Sequence, residues 1–433
     1  MLRSPHDRDI ARLAVPAVGA LAIDPLVSVV DTAFVTQLGE IPLAALGVCT
    51  GLFGLAFFVF NFLAYGTTPL VAAARANDEP AQVGRIVGQS LTLAVVLGLM
   101  GMVVLEVAAE PLVRAMGATD ALAADAAGYL RARAWATPAV LLITAGNGAY
   151  RGLEDTVSPL LYALALNVVN LVLDPVLMFG FGWGLTGAAV ASAIAQWIGA
   201  GLFLTGLLGW HGGRFRVPPR LPRPAELLPL IKVGGILSIR TFALVGTLTL
   251  ATAVATRVSI AAIGAHQIAW QLWGLAALIV DALAVAGQAL VARYLALNQP
   301  QIARQVSDRL LTLGIGVGLV LAIGLAALGP VLPWVLSKTP ASAVELQKIW
   351  WIVVFMQPLN AAIFVWDGVY LGARRFGFVA VSMVIAAVIG SIGLGLVLPL
   401  GLGLAGVWGA MVALNAARAI GLAAGYRGWG KAT

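Results

Sequence analysis

The chain has 433 residues, 61% of them hydrophobic and 10% charged, with a formal net charge of +7 and a mean hydropathy of +0.96. That usage lies far outside the range of soluble globular domains. A single cysteine, Cys49, excludes an internal disulfide and a cysteine-rich metal centre, and the histidines His6, His211 and His266 are too scattered for metal-ligand spacing.

A bilayer crossing takes about 20 apolar residues. Such stretches recur at 10–37, 43–74, 83–113, 123–150, 157–181, 185–209, 226–256, 262–292, 302–335, 346–373, 377–400 and 403–426. The expected fold is an all-α integral membrane protein of twelve spanning helices. The first stretch follows Pro5-His6-Asp7-Arg8-Asp9 and carries Asp24 and Asp31, a poor core for a cleaved signal peptide. Between the sixth and seventh stretches, 211–225 is rich in arginine and proline. It cannot span, and its prolines favour an extended linker. The expected organisation is therefore an N-lobe at 1–210 (spans 1–6), a cytoplasmic linker at 211–225 and a C-lobe at 226–433 (spans 7–12). The other loops are short, which leaves no room for a catalytic soluble domain, so the chain is not expected to be an enzyme.

The two lobes repeat one another. Asn147-Gly-Ala-Tyr-Arg-Gly152 and Asp367-Gly-Val-Tyr-Leu-Gly372 lie 220 positions apart, as do Pro138 and Pro358, and Pro80 and Pro300. Gly184-Leu-Thr-Gly187 matches Gly403-Leu-Ala-Gly406 at an offset of 219. A duplicated apolar unit with an even number of spans predicts two pseudo-symmetric six-helix lobes in parallel, with a binding site between them. With the N-terminus on the cytoplasmic side, that side collects most of the basic residues, from Arg3 and Arg8 through Arg214–Arg223 to Arg374, Arg375, Arg427 and Lys431. The opposite side holds Arg114, Arg131, Arg133, Arg257, Lys338 and Lys348. The asymmetry predicts an inner-membrane protein with both termini in the cytoplasm. The positive charge is thus a topology signal, and no nucleic-acid partner is expected. Trp334, Trp350, Trp351, Trp408 and Trp429 lie near span boundaries and read as interface anchors.

Ionisable side chains at membrane depth cost roughly 2.5–3.5 kcal/mol each on insertion scales, so each needs a reason. Asp24 and Asp31 are two helical turns apart, with Ser28 between them on the same face of the first span. Asn167, Asn170 and Asp174 form a second polar stripe on the fifth span, and Pro175 removes a backbone donor next to it. Together they form a candidate proton or cation site. Burial raises a carboxylate pKa and a second carboxylate raises it further, whereas a sodium site would use the same oxygens of Asp31, Asn170 and Asp174 in ionised form. The bland alternative is that these acids are structural. In the C-lobe the repeat places Leu248 and Leu394 opposite Asp31 and Asp174. That lobe's own polar groups, Arg240, His266, Gln271, Asp281 and Asp367, are candidates for gating, substrate contact or structural pairing.

Val29-Val-Asp-Thr-Ala-Phe-Val-Thr-Gln-Leu-Gly39, Asn167-Val-Val-Asn-Leu-Val-Leu-Asp-Pro-Val-Leu177, Gly184-Leu-Thr-Gly-Ala-Ala-Val-Ala-Ser192, Gly264-Ala-His-Gln-Ile-Ala269 and Asp367-Gly-Val-Tyr-Leu-Gly372, taken in order, resemble the multidrug and toxic compound extrusion (MATE) family, and within it the DinF-like branch. The resemblance covers essentially the whole chain. It implies an exporter of amphipathic, mostly cationic or neutral compounds, driven by inward H+ or Na+ through alternating access. It carries the coupling role onto Asp31, Asn170 and Asp174, and it adds the sixth-span hydroxyl as Ser192. No cofactor is implied. The expected partners are the small-molecule substrate, the coupling ion and membrane lipids, with the chain working as a monomer. The alternative is a flippase for a lipid-linked precursor. Such a protein would line its cavity with several arginines, and Arg240 is the one that the sequence places deep.

Overall fold

The computed structural model describes residues 4–210, 217–218, 221–337 and 339–427. His211, most of the expected linker (211–216, 219 and 220), Lys338, Trp429 and Lys431 lie outside the described residues. The described residues contain helices and no strand, as hydrocarbon demands of a chain that must satisfy its own backbone groups. In order, the helices are α1 (Asp7–Thr36), α2 (Glu40–Phe60), α3 (Phe62–Ala76), α4 (Pro80–Ala115), α5 (Asp120–Ala134), α6 (Thr137–Gly152), α7 (Val157–Pro175), α8 (Gly184–Thr205), α9 (Pro224–Val258), α10 (Ile260–Ala296), α11 (Pro300–Leu328), α12 (Leu332–Leu336), α13 (Pro340–Gly372), α14 (Phe376–Val397) and α15 (Gly403–Arg427). Wider π-type turns, Val176–Gly180 and Gly206–Trp210, extend α7 and α8.

Eleven helical segments among the described residues are long and apolar enough to cross a membrane. The remaining expected span, the fourth, is present as α5 and α6, each too short to cross alone. The break falls just before Pro138. Pro138 has no N–H for the Ala134 carbonyl and its ring crowds that turn. The chain tightens instead, with the Ala136 N–H donating to the Arg133 carbonyl at 3.0 Å. The Trp197 indole donates to the freed Trp135 carbonyl at 2.9 Å.

The chain divides into two compact units, residues 15–234 and residues 1–14 with 235–433. The first eight residues of α1 thus count with the second unit, where Arg309 of α11 donates to both carboxylate oxygens of Asp7 at 2.6 and 2.8 Å. In the first unit, Tyr150 and Phe203 centre one buried cluster, with Leu141, Val71 and Val87 around them, and Val35, Cys49, Leu130 and Met178 lie in another. The second unit packs around Trp408, Trp350, Leu346 and Ile349.

Duplication is visible in the backbone itself. The non-glycine residues with positive φ are Asp78 and Asn298 (56° and 55°), and Glu154 and Arg374 (56° and 57°), two pairs set 220 apart. Each follows a helix end, and each is spanned by a 2.9 Å bond from the next N–H to the carbonyl five residues back: Glu79 to Ala74, Asp155 to Tyr150, Gln299 to Tyr294, and Arg375 to Tyr370. That is the Schellman closure, formed at equivalent places in both halves. Helix packing repeats with the same register. A Cβ on Gly148 would come within 2.8 Å of the Ala64 backbone, and one on Gly152 within 2.7 Å of the Thr68 carbonyl. The counterparts 220 residues on, Gly368 against Ala284 and Gly372 against Gln288, are equally close. Small residues here let backbones touch.

Two boundary tryptophans are not interface anchors. Trp408 is fully buried, and Trp350 is buried with its indole donating to the Leu325 carbonyl at 3.2 Å. Both lie in the second unit's apolar core. Trp334 and Trp351 are exposed.

Gly368→Ala should destabilise the protein by about 1–3 kcal/mol or more through overpacking, although alanine is the better helix former by about 1 kcal/mol. Gly316→Ala, at a helical glycine with nothing within 4 Å of its added Cβ, should be neutral or stabilising. Melting of both variants in detergent, followed by size-exclusion chromatography, checks the contrast, and equal behaviour would contradict the packing argument.

Candidate cation-coupling site

The first unit holds a cavity of about 290 Å³ lined by six helices, with α6 contributing Val140. α1 supplies Asp24, Ser28 and Asp31, and α2 supplies Thr50, Phe53 and Phe57. α5 adds Tyr129 and Arg133, α7 adds Asn167, Asn170 and Asp174, and α8 adds Ser192 and Gln196. The helical spacings that put each stripe on one face bring α1 and α7 together here. Pro175 cannot donate to the Leu171 carbonyl, and the helix widens into the π turn directly after it. Gly187 of α8 lies against the backbone of that turn, where a Cβ would be 2.8 Å from the Leu177 carbonyl carbon. This close approach positions α8 so that Ser192 reaches the site.

Its acids differ in depth. Asp24 is exposed, Asp31 is half-buried, and Asp174 is 1% exposed. The Asn167 amide donates to Asp24 Oδ1 at 2.9 Å and to the Ala163 carbonyl at 2.8 Å. The Asn170 amide donates to Asp174 Oδ1 at 3.1 Å and lies 3.5 Å from Ser192 Oγ. The carboxyl groups of Asp31 and Asp174 line the same cavity, close enough to interact. Asp31 Oδ1 and Asp174 Oδ2 are both buried without a hydrogen-bond partner. Two carboxylates so placed cannot both remain ionised unless a positive charge joins them. The arrangement can therefore take up a proton between them or bind a small cation.

Arg133 is the residue that sequence reasoning left out, counting it among the basic residues of the external side. The structure places it on the cavity wall, 5.7 Å from the Phe53 ring centroid and close enough to act electrostatically on Asp24, Asp31 and Asp174. A signal for it existed. The 220-residue offset pairs Arg133 with Val353, a core residue 1% exposed, so a charge replaces a packed apolar side chain.

The second unit gathers some of its candidates and separates others. Asp367 of α13 accepts from Arg240 of α9 at 2.6 Å and from Arg418 of α15 at 2.7 Å, both at Oδ2. Arg418 also reaches Asn415 at 3.4 Å. Arg418 is 4% exposed, so Arg240 is not the sole deep arginine. Arg418 stands 51 residues from the carboxylate it reaches, so nothing local in the sequence marks the pairing. His266 is buried, with Nε2 3.2 Å from Thr252 Oγ1 and its ring against Trp408. Gln271 is exposed and Asp281 half-buried on α10. Among the described residues no cluster of three or more His, Cys, Asp or Glu is arranged to hold a metal ion.

The MatE family profile matches residues 16–176 and again 237–396. The chain belongs to the MatE family. Its two matches start 221 and end 220 residues apart, the same offset that registers the turns and the glycine contacts. Family members are membrane transporters rather than enzymes, and the chain is a multi-pass membrane protein of that kind. Protein DETOXIFICATION 44, chloroplastic, of Arabidopsis thaliana is 35% identical over 428 residues, covering 95% of this chain and 80% of the relative. A probable multidrug resistance protein NorM of Rhizobium meliloti (strain 1021) is 29% identical, covering 73% of this chain and 69% of the relative. Two solved structures share the fold. A MATE protein in complex with MaD3S has a TM-score of 0.88 at 18% identity, covering 99% of this chain and 96% of the other. The outward-facing conformation of a multidrug resistance MATE family transporter of the MOP superfamily has a TM-score of 0.87 at 19% identity, covering 100% and 98%.

Breaking the buried ion cluster of the second unit should cost more than any surface pair. Asp367→Ala removes the carboxylate that both guanidinium groups share, and about 3–5 kcal/mol is expected for such a loss. Arg114→Ala, which removes the exposed pair with Glu110, should cost under about 1 kcal/mol. Thermal melts of the two variants in one detergent provide the comparison.

Proposed function

We propose that the protein is a secondary antiporter that exports amphipathic, mostly cationic or neutral organic compounds in exchange for H+ or Na+, and that the first unit's cavity is its coupling site. The observation that carries this reading is that Asp31 and Asp174 line one cavity with one buried oxygen on each left without a partner. A structural pair would have its acceptors satisfied, whereas this one is completed by taking up a cation. Asn170, which also reaches Ser192, orients Asp174, and Asn167 holds Asp24. Taking up the ion would repack α1 against α7 and close the space that a substrate needs, so ion and drug compete for the same helix pair and binding of each is linked to release of the other. A polyanionic substrate would meet carboxylates in this cavity. The flippase alternative gains no support, because the two buried arginines of the second unit both donate to Asp367. On positive-inside grounds we place both termini on the cytoplasmic face of a cell membrane, with the single chain as the working unit.

Asp31→Asn should abolish gradient-driven export at unchanged membrane abundance, since a carboxamide keeps the size but neither cycles a proton nor holds a cation by charge. Transport into inverted vesicles, with pH and sodium gradients imposed separately, reads this directly, and normal efflux would remove Asp31 from the mechanism. Asn170→Ala and Asp174→Asn should each impair coupling, yet add little when combined with Asp31→Asn, because residues of one site are not additive. Fully additive losses would mean separate sites.

Adding a cationic amphipath such as ethidium to the purified protein in weak buffer should release protons if H+ is the coupling ion. Tight binding of a lipid pyrophosphate without any response to cationic amphipaths would favour the flippase instead.

A further inference from the structure

Arg133 reaches the cavity from α5 with its Nη1 buried and without a hydrogen-bond partner. A guanidinium carries five donors in a fixed fork and does not lose its charge. Held beside three carboxylates yet hydrogen-bonded to none of them through that nitrogen, it is a cation kept in reserve. The ring of Phe53, on α2, lies within cation–π range and supports it there. The charged and titratable groups around it are Asp24 and Asp31 on α1, Asp174 on α7, and Tyr129 one turn away on α5. Glu106, on the neighbouring helix α4, does not line the cavity.

We propose that Arg133 is the ion-selecting residue of the site: it supplies the positive charge that a bound Na+ would otherwise bring, so that Na+ is excluded and the transporter runs on protons. This rests on the coupling site proposed above and names its ion. At an effective dielectric of about 20, a unit charge at a separation on the order of 6–8 Å weakens a monovalent cation's binding by roughly 30- to 100-fold. Na+ is held only by charge and by dipoles of several oxygens at once, in space that it must share with the guanidinium. A proton meets the same repulsion, but it is bonded to a single carboxyl oxygen and needs only the neighbouring carboxylate as acceptor. The resident cation therefore removes Na+ from the working range while still letting a proton arrive, and it answers the charge left when the proton departs.

The test uses the full chain in proteoliposomes with ethidium as the exported probe. Wild type should be driven by a pH gradient and not by a sodium gradient. Arg133→Gln should gain sodium-driven export, with a rise of at least about 30-fold in the sodium-dependent rate, the lower end of the range set by the Coulomb estimate. Arg133→Lys, which keeps the charge, should restore wild-type selectivity. A wild type driven by sodium would overturn the proposal, as would Arg133→Gln that stays active with protons and indifferent to sodium. If Arg133→Gln does not fold, binding of radiolabelled Na+ to Arg133→Met in detergent decides: saturable binding absent from wild type supports the proposal, and no binding overturns it. Asp31→Asn, run beside these, separates the two readings. If it exports normally, the coupling site itself is wrong, whereas if it is inactive and Arg133→Gln is unchanged in selectivity, only the role of Arg133 fails.

Discussion

An ionised side chain taken out of water costs several kcal/mol unless something nearby answers its charge. The two main polar clusters of the described residues meet that cost in different ways. The second unit answers Asp367 with two guanidinium groups on separate helices, which closes the account locally and ties α9, α13 and α15 together. The first unit leaves its answer incomplete. Amides hold Asp24 and Asp174, but one oxygen each of Asp31 and Asp174 stays without a partner. A closed cluster suits a rigid bundle, and an open one suits a site whose occupant comes and goes.

Both arrangements sit on one backbone plan used twice. The left-handed residues after α3 and α6 recur after α10 and α13, and the glycines that seat α6 against α3 recur in α13 against α10. Because the frame is fixed by turns and close backbone contacts, side chains at equivalent positions were free to diverge. Where the first unit has Asp31, Arg133, Asp174 and Ser192, the offsets give the second unit Leu248, Val353, Leu394 and Met411, all within a single apolar core. A cavity on one side corresponds to packed hydrocarbon on the other.

The spans and the duplication were legible in the sequence because hydropathy and a constant offset are signals along the chain. Asp24, Asp31, Asn167, Asn170 and Asp174 stood out for the same reason, as polar residues at helical spacing in apolar surroundings, and the structure gathers them with Ser192 in one cavity. What escaped depends on contacts far apart in sequence. Arg418 reads as lying near the end of a span until Asp367 is placed beside it, and Trp408 reads as a boundary residue until His266 and the core close over it. Arg133 lies in the first half of the 123–150 stretch, close to Arg131, and a basic residue near a span's outer half is ordinarily a topology marker. The split of the fourth span into α5 and α6 was foreshadowed only by Pro138, whose counterpart Pro358 lies inside an unbroken α13.

The cavity's composition also sets its electrical bookkeeping. Three carboxylates, Asp24, Asp31 and Asp174, less one guanidinium, Arg133, leave a net charge of minus two when all are ionised. The site therefore reaches neutrality on taking up two monovalent cations and has no electrostatic demand for a third. On the proposed reading, a cycle that trades one such ion for a singly charged drug moves no net charge and is indifferent to membrane voltage. A cycle that trades two for one is electrogenic, gaining about 2.3 kcal/mol for each 100 mV of membrane potential.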